Sequence, residues 1–450
     1  MSDNQQNIAK LDQIIQLANE VKADLSGAAE TIVPAGADLQ SYINAASPNA
    51  VLVLEAGIYE GSVQIEKPIT IKALNYQGQK PSRDMQSVIL GNDSTAMRIL
   101  NLDSSGWVKL LGIGITNANN QGSGIDIYGV QTEITNCAVW GDPTNGLRRG
   151  ILANGQVMTI TNIWMDDIIL PGRDSQCIMG YDGTDNLTIN GAYLCGGAET
   201  IMFGGGDSQA EDRMPKNIRI ENFHLTKKRE WYQEGMQIKN AFELKAANNV
   251  YVNNGLMEYA GMSEGQRGFI ILLSVRNQDG TAPWTTVKNV TIENVNCRYG
   301  GACVSVLGID DNQPSVMMES VVLRNLNFTN IDPTGITGGS GNCIQFSSAC
   351  KAVTFDSISI EGKNLNSLGY FPPAGQQPIQ LTLRNWKFPE TAYGWKIDAG
   401  GMDVPPAHDK LSAYMPDMVY EITANDPGAS PGFPQFPTSV VRYPTKNKKR

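Results

Sequence analysis

A short pattern recurs along most of the chain: an apolar residue, any residue, a second apolar residue, any residue, Asn, and then a further apolar residue two or three positions on. It is seen in TEITNCAV, TITNIWM, LTINGAYL, IRIENFHL, VYVNNGLM, VTIENVNC, VVLRNLNF and LTLRNWKF, with Asn at 136, 162, 190, 222, 254, 294, 325 and 385, and Ser357 fills the same slot in VTFDSISI. The intervals are 26, 28, 32, 32, 40, 31, 32 and 28 residues. A unit of this length, made of short alternating strands without a helical stretch, cannot bury its apolar face alone and must stack on its neighbours. Asn tolerates the left-handed conformation that a tight turn requires, and stacked Asn side chains can hydrogen-bond along the stacking axis. The repeat therefore predicts an all-β fold, a single-stranded parallel β-helix in which each unit is one rung. Irregular intervals, such as the 40 residues between Asn254 and Asn294, mark loops projecting from it.

The ends of the chain differ from this middle. Ile8, Leu11, Ile15, Ala18, Val21 and Leu25 recur at spacings of three or four, which predicts a short amphipathic α-helix that docks on its own body or on the same helix of other copies. SGAAETIVPAG (26 to 36) reads as a linker, and alternating strands begin by VLVLEAGIYEGSVQIEKPITIKALN. The last stretch carries DVPPAH, NDPGASPGFPQFPTS and the basic TKNKKR, and reads as an extended Pro-rich arm. The expected organisation is an N-terminal helix and linker over 1–33, a solenoid over 34–394 and the arm over 395–450.

Composition narrows the function. Asp and Glu outnumber Lys and Arg by 45 to 35, a net charge of −10 that disfavours nucleic acid as a partner. No run of apolar residues is long enough to span a membrane, and the start MSDNQQNIAKLDQ has no basic or apolar leader, so the chain is expected to fold in the cytoplasm without a secretion signal. The seven Cys lack CxxC spacing and sit in apolar runs, which reads as buried thiols. With only His224 and His408, a histidine metal cluster is excluded, and no cofactor or metal is expected.

Two groups of residues carry chemistry in the sequence. Asp207, Glu211 and Asp212 follow a Gly-rich strand end, and Lys227, Lys228, Arg229 and Trp231 follow the next strand, NIRIENFHL. If they occupy corresponding places on adjacent rungs, acidic and basic side chains share a groove with an exposed aromatic, suited to a charged sugar polymer; the alternative is a loop pair held by surface ion pairs. In FELK, alternation turns Phe242 and Leu244 inward and Glu243 and Lys245 outward, and the following strand brings Arg276 to the same face. That patch is either catalytic, abstracting a proton beside a glycan carboxylate, or a charge ladder on the sheet surface. Asp279, Asp310 and Asp311 lie in turns, where Asp ordinarily caps backbone amides.

On the rung motifs, on LEAGIYEGSVQIEKPITIKAL and on the stretches between about 200 and 330, the chain resembles the right-handed parallel β-helix superfamily of pectate lyases, polygalacturonases and bacteriophage tailspikes over about residues 34 to 390. The resemblance implies the right-handed solenoid and a polysaccharide ligand. It supplies no catalytic set: the polygalacturonase combination of NTD, DD, GHG and RIK is not present, nor is the RxPxxR of pectate lyases. NIWMDD is similar to the WIDH stretch of those lyases, with Asp167 where the His would stand, and an ordinary turn is the plainer reading of Asp166. The expected role is a bacteriophage virion protein, a homotrimeric tailspike or capsid-decorating spike on the virion surface. Its N-terminal helix would meet other virion proteins, and its body would bind host surface polysaccharide, with or without degrading it. The alternatives are a stand-alone polysaccharide lyase or glycoside hydrolase, and a non-catalytic glycan-binding or architectural solenoid.

Overall fold

The computed structural model describes residues 30–262, 268–397, 402–403 and 414–421. These residues form a parallel β-helix: an 18-stranded sheet and a 13-stranded sheet run alongside one another, and almost every pairing is parallel between one rung and the next. In the early rungs the larger sheet is built from separate short strands, such as Val108–Leu111 and Gly114–Asn117. From Gln156–Ile168 onward each rung contributes one long bent strand, as in Asp185–Gly196, Lys216–Thr226 and Ala247–Glu258.

The bend is the Asn slot. Asn136, Asn162, Asn222, Asn254, Asn294, Asn325, Ser357 and Asn385 all have φ between 50 and 60°, the left-handed region that Asn enters at least cost. Their side chains form the expected ladder: the Nδ2 of Asn162 donates to Asn136 at 3.1 Å, Asn254 to Asn222 at 2.6 Å and Asn325 to Asn294 at 3.1 Å. Elsewhere the ladder changes partner, Asn294 donating to Asn253 at 2.7 Å and Asn385 to Asp356 at 2.9 Å, and in one rung the turn residue itself differs. There Gly191 takes the left-handed residue at φ 75°, and Asn190 serves only as acceptor for Asn222 at 2.7 Å.

Inside the coil, one column shows how the repeat fills the core. Ile134, Ile160, Ile189, Ile220, Val252, Ile292, Leu323, Phe355 and Leu383 are in register from rung to rung, and each is at most 1% exposed. Burying a side chain of this size contributes about 1.5–3 kcal/mol, so the solenoid is held chiefly by such columns. All seven Cys are buried and free, as the sequence implied.

Three boundaries differ from expectation. Residues 30–33 of the supposed linker are already strand, Glu30–Val33, paired with Ala50–Leu54. A short α-helix, Leu39–Ala45, stands among the first strands, where Leu39 and Ile43 are spaced to seal the first rung. At the other end Val419–Glu421 returns to pair with Thr382–Lys387, extending the sheet inside the segment read as an arm. The expected amphipathic helix over residues 8–25, the basic tail and most of the Pro-rich arm lie outside the described residues.

Candidate functional site

Each long strand has a loop at either end, and the two sets of loops lie at different corners of the coil. Asp207, Glu211 and Asp212 precede Lys216–Thr226, whereas Lys227, Lys228, Arg229 and Trp231 follow it. An 11-residue strand separates the groups by roughly 30 Å of backbone, so they do not share a groove. The expectation of equivalent places one rung apart fails because a strand, not a whole rung, lies between them.

At the first corner the charged side chains brace loops. Asp207 Oδ2 accepts from the backbone N–H of Asp279 and Thr281, at 3.1 and 2.8 Å, and from the Thr281 hydroxyl at 2.8 Å. Glu211 and Asp212 sit exposed on a single 3-10 turn, Glu211–Arg213. Arg276 turns away from Glu243: its guanidinium bonds Asp310 at 2.8 Å and also Asp311, while its backbone N–H meets the Lys245 carbonyl at 3.0 Å. Asp310 in turn accepts from Asn277 N–H at 2.8 Å, the capping role of a turn Asp.

The expected outward strip of Glu243, Lys245 and Arg276 is thus divided. Glu243 does leave the core, standing in register between Met202 and Leu272, but it is only 1% exposed. Asn240 Nδ2 donates to it at 2.7 Å and Lys245 Nζ stands 3.5 Å away. Next to it lies a buried network that the sequence did not announce. Glu199 is also 1% exposed, accepts from Gln176 Nε2 at 2.9 Å and faces Lys239 Nζ at 3.5 Å. Burial, then the charge of Glu243, pushes the Glu199 carboxyl up to about 7. Lys227 is buried as well, donating to the carbonyls of Gly197 and Ala198 and to the Thr200 hydroxyl, and burial brings its ammonium down to about 8. Glu199 holds a proton near neutrality, which is what general acid chemistry asks of a carboxyl. It is nevertheless sealed from solvent, so no sugar ring reaches it in this conformation.

Lys227 therefore pins a corner rather than lining a groove, and Trp231 is not exposed either. At 3% exposure, Trp231 joins Trp164, Tyr193, Cys195, Met236 and Ile238 in a second apolar cluster on the outside of the sheet, which fixes the loop after Lys216–Thr226. Above its ring, at 5.4 Å, lies Lys228 Nζ, which also bonds Asp167 Oδ1 and stands 3.0 Å from Asp166. Arg83 reaches Asp167 from an earlier rung at 2.6 Å. Burial and the neighbouring Asp166 charge raise the Asp167 carboxyl, with Lys228 and Arg83 opposing them. NIWMDD is thus more than a plain turn: it is a carboxylate pair clamped by two cations.

Arg229, next along this loop, is exposed and lines an open groove of about 820 Å³. The floor of the groove is Tyr259 and Tyr299, stacked with ring centroids 5.0 Å apart and planes 13° from parallel. They end the successive strands Ala247–Glu258 and Val287–Arg298, and each has a left-handed backbone, φ 56 and 57°. A bulky aromatic in that region is strained, and such strain persists where surrounding structure holds it. Here the hold is visible: the N–H of Tyr259 donates to Arg298 O and that of Tyr299 to Thr329 O, both at 3.2 Å, and the Tyr232 hydroxyl ties down Tyr259 O at 2.6 Å. The Arg298 guanidinium lies 5.4 Å from the Tyr299 centroid. Arg298 also bonds Glu258, which His224 Nε2 meets at 2.5 Å. Burial opposes ionisation of Glu258, but the bonds from His224 and Arg298 outweigh it and hold the carboxyl below its usual range. Asp332, Glu361 and Lys363 form the far wall. Tyr299 is 37% exposed and Tyr259 half-buried, and the accessible part of the pair, with cations and hydrogen-bonding groups at the rim, offers an apolar patch suited to a pyranose. A second hollow of about 400 Å³, between Leu74 and Met85, has no aromatic in its lining.

Of the residues expected to bind sugar, Arg229 is the one that reaches this groove; Tyr259 and Tyr299 were missed. Both stand five places after the slot Asn, at 254 and 294, as do Asp167 and Asn330 after Asn162 and Asn325, and all four are left-handed. This second periodic column was the available signal. Among the described residues, no group of three or more His, Cys, Asp and Glu is placed to hold a metal ion, and no helix is long and apolar enough to cross a membrane.

No family model matches the sequence, and no curated protein matches it. Solved structures do share the fold. The Dettilon tailspike protein superposes with a TM-score of 0.50 at 12% identity, over 78% of this chain and 62% of the tailspike, so the chain spans less than two thirds of that protein. The Family 28 exopolygalacturonase of Yersinia enterocolitica gives 0.53 at 10% identity, covering 83% of this chain and 79% of the enzyme. The catalytic unit of an α-1,3-glucanase from Streptomyces thermodiastaticus gives 0.56 at 15% identity, covering 88% and 68%. What these structures share with the chain is the fold, a right-handed parallel β-helix.

Proposed function

We propose that this protein is a bacteriophage virion spike, a homotrimer displayed on the virion surface that binds the host's surface polysaccharide in the groove between Arg229 and Lys363. The observation that carries the binding site is the Tyr259 and Tyr299 stack, held at left-handed φ on an open face with charged groups at its rim. A ring pair buried for packing alone would not need the exposure. The likeness in fold to a tailspike and to polysaccharide-acting enzymes supports the choice of ligand and setting. In this reading the amphipathic stretch over residues 8–25 joins the subunits to one another and to other virion proteins.

Two measurements test it. Light scattering of the full chain is expected to give three times the monomer mass, and a monomer would remove the trimer. Glycan-array binding is expected for the full chain and absent for Tyr259→Ala and Tyr299→Ala, and equal retention of all three proteins would remove the groove.

The second reading, a polysaccharide-cleaving enzyme, is favoured by one observation: the Asp166 and Asp167 pair clamped by Arg83 and Lys228 on the same corner as the groove. Release of reducing ends or unsaturated uronate from the bound glycan, lost in Asp166→Asn, would establish it.

A further inference from the structure

The left-handed column at the groove does not stop at the two tyrosines. Glu258, Arg298 and Thr329 are in register on successive rungs. The residue after each of them, Tyr259, Tyr299 and Asn330, forms a file along the same edge with φ of 56, 57 and 55°. Asn330 is exposed and lines the groove one rung beyond Tyr299, a step of about 4.8 Å. A left-handed φ by itself accounts for an Asn. It does not account for the state of the side chain. The slot Asn residues bond one another along the axis, and Asn364, on the next rung, spends its Nδ2 on Asp332 and the Thr334 hydroxyl at 3.1 and 3.0 Å. The Asn330 carboxamide has no hydrogen bond among the described residues. Its donor and its acceptor both stay open beside the aromatic floor.

The lining also holds an exposed aliphatic side chain, Ile336. Its loop is pinned, with Gly338 N–H donating to Gly335 O at 3.1 Å and Met262 N–H to Thr337 O at 2.6 Å. The charges of the groove are mixed, Arg229 and Lys363 against Asp332 and Glu361, and set no net sign. A pyranose bearing hydroxyls alone finds partners among those charged groups, but nothing in it calls for Ile336. An acetamido group presents one N–H donor, one carbonyl acceptor and a methyl. The first two match a primary carboxamide in a paired amide contact, and the methyl gains from an aliphatic or aromatic neighbour.

Resting on the reading of this groove as the glycan site, we infer that it selects an N-acetylated amino sugar: one ring face packs on the accessible part of Tyr259 and Tyr299, the acetamido N–H and carbonyl pair with the Asn330 carboxamide, and the methyl lies against Ile336. Asn330 is then the residue that sets specificity, and the tyrosines supply affinity for any pyranose.

The test titrates the full chain calorimetrically with oligosaccharides in matched pairs that carry either an acetamido group or a hydroxyl at the same ring carbon. Chitotetraose is set beside cellotetraose, and N-acetylgalactosamine oligomers beside galactose oligomers of the same linkage, with oligogalacturonate as an acidic arm. At least one N-acetylated member is expected to bind roughly tenfold tighter than its partner, the size of an amide hydrogen bond plus a buried methyl. Asn330→Gly keeps the left-handed backbone and should abolish the preference. Asn330→Asp, which lacks the donor, and Ile336→Ser should each reduce it, whereas Tyr299→Ala should weaken both members of a pair alike. The three positions are exposed, and circular dichroism is expected to show every variant folded. Equal binding within every pair, or an unchanged preference in Asn330→Gly, overturns the inference and leaves the glycan groove standing. Binding of the acidic oligomer alone does the same. Binding of no oligosaccharide at all overturns the inference together with the glycan reading.

Discussion

Tyr259 and Tyr299 end adjacent strands and lie ring over ring at 5.0 Å, each on a left-handed backbone. The two rings are held by rung-to-rung hydrogen bonds at 3.2 Å, not by the hydrophobic core. Replacing Tyr299 with Asn, which tolerates the same φ, should therefore relieve about as much strain as the lost stacking costs. The expected outcome is a stability change within about 1 kcal/mol accompanied by loss of glycan binding. Chemical denaturation and titration of the same sample read both, and a large destabilisation with binding intact would contradict it.

The Asn column should behave oppositely. In Asn254→Ala both the left-handed preference and the 2.6 Å bond to Asn222 are lost, which should cost about 2 kcal/mol. Asn254→Gly keeps the conformation and loses only the bond, so its cost should be about 1 kcal/mol. Equal effects of the two substitutions in urea titrations would show that the conformation does not matter there.

These two columns also show what the sequence discloses and what it hides. The Asn slot is legible because one side chain meets two demands at once, the left-handed turn and the ladder, so it repeats almost unchanged. Asn190 is the informative failure: the pattern matches, yet Gly191 supplies the turn because glycine enters that region without a Cβ penalty. The groove column was harder to see. Asp167, Tyr259, Tyr299 and Asn330 share a conformation but not a chemistry, and a motif search keyed to residue type passes over them. Exposure of Trp231 and Glu243 was misjudged for a different reason. Alternation says which side of a sheet a residue faces, but not that a later loop or side chain will cover that side.

Glu199 gives the solenoid a dependence on pH. Its carboxyl is raised by burial and by Glu243, from an ordinary 4.5 to about 7 in the folded protein. A raised pKa means that its full contribution is present below about 4.5 and is lost as pH rises through about 7. Glu199→Gln should flatten the fall in stability across that interval, by up to about 3 kcal/mol. Denaturation midpoints measured from pH 4.5 to 8 would show it, and parallel curves for the two proteins would refute it.

Trp231 anchors the loop that carries Lys228 and Arg229 through the outer apolar cluster. Truncation to Ala should cost about 3–5 kcal/mol locally. Hydrogen exchange is expected to accelerate in residues 228–238, with the Asn-column strands still protected. Uniform acceleration throughout the chain would mean that the loop and the coil unfold together.

All seven thiols are buried, and burial raises several of them, Cys137 to about 12. None should react with a thiol reagent in the native protein at pH 8, and all should react on unfolding. Fast modification of even one native cysteine would show that a rung opens locally.

The division between the interior columns and the corner residues has an evolutionary consequence. Several strand ends on the groove side carry a left-handed residue, among them Asp167, Tyr259, Tyr299 and Asn330, and the loops that follow the strands range from the short Gly197–Thr200 connection to the long stretch after Thr226. Changing those residues or lengthening those loops does not require repacking a single interior position. The coil is in that sense a fixed chassis with exchangeable fittings. A new binding preference can arise by substituting a few corner positions or inserting a loop, without first surrendering the stability that keeps the coil folded.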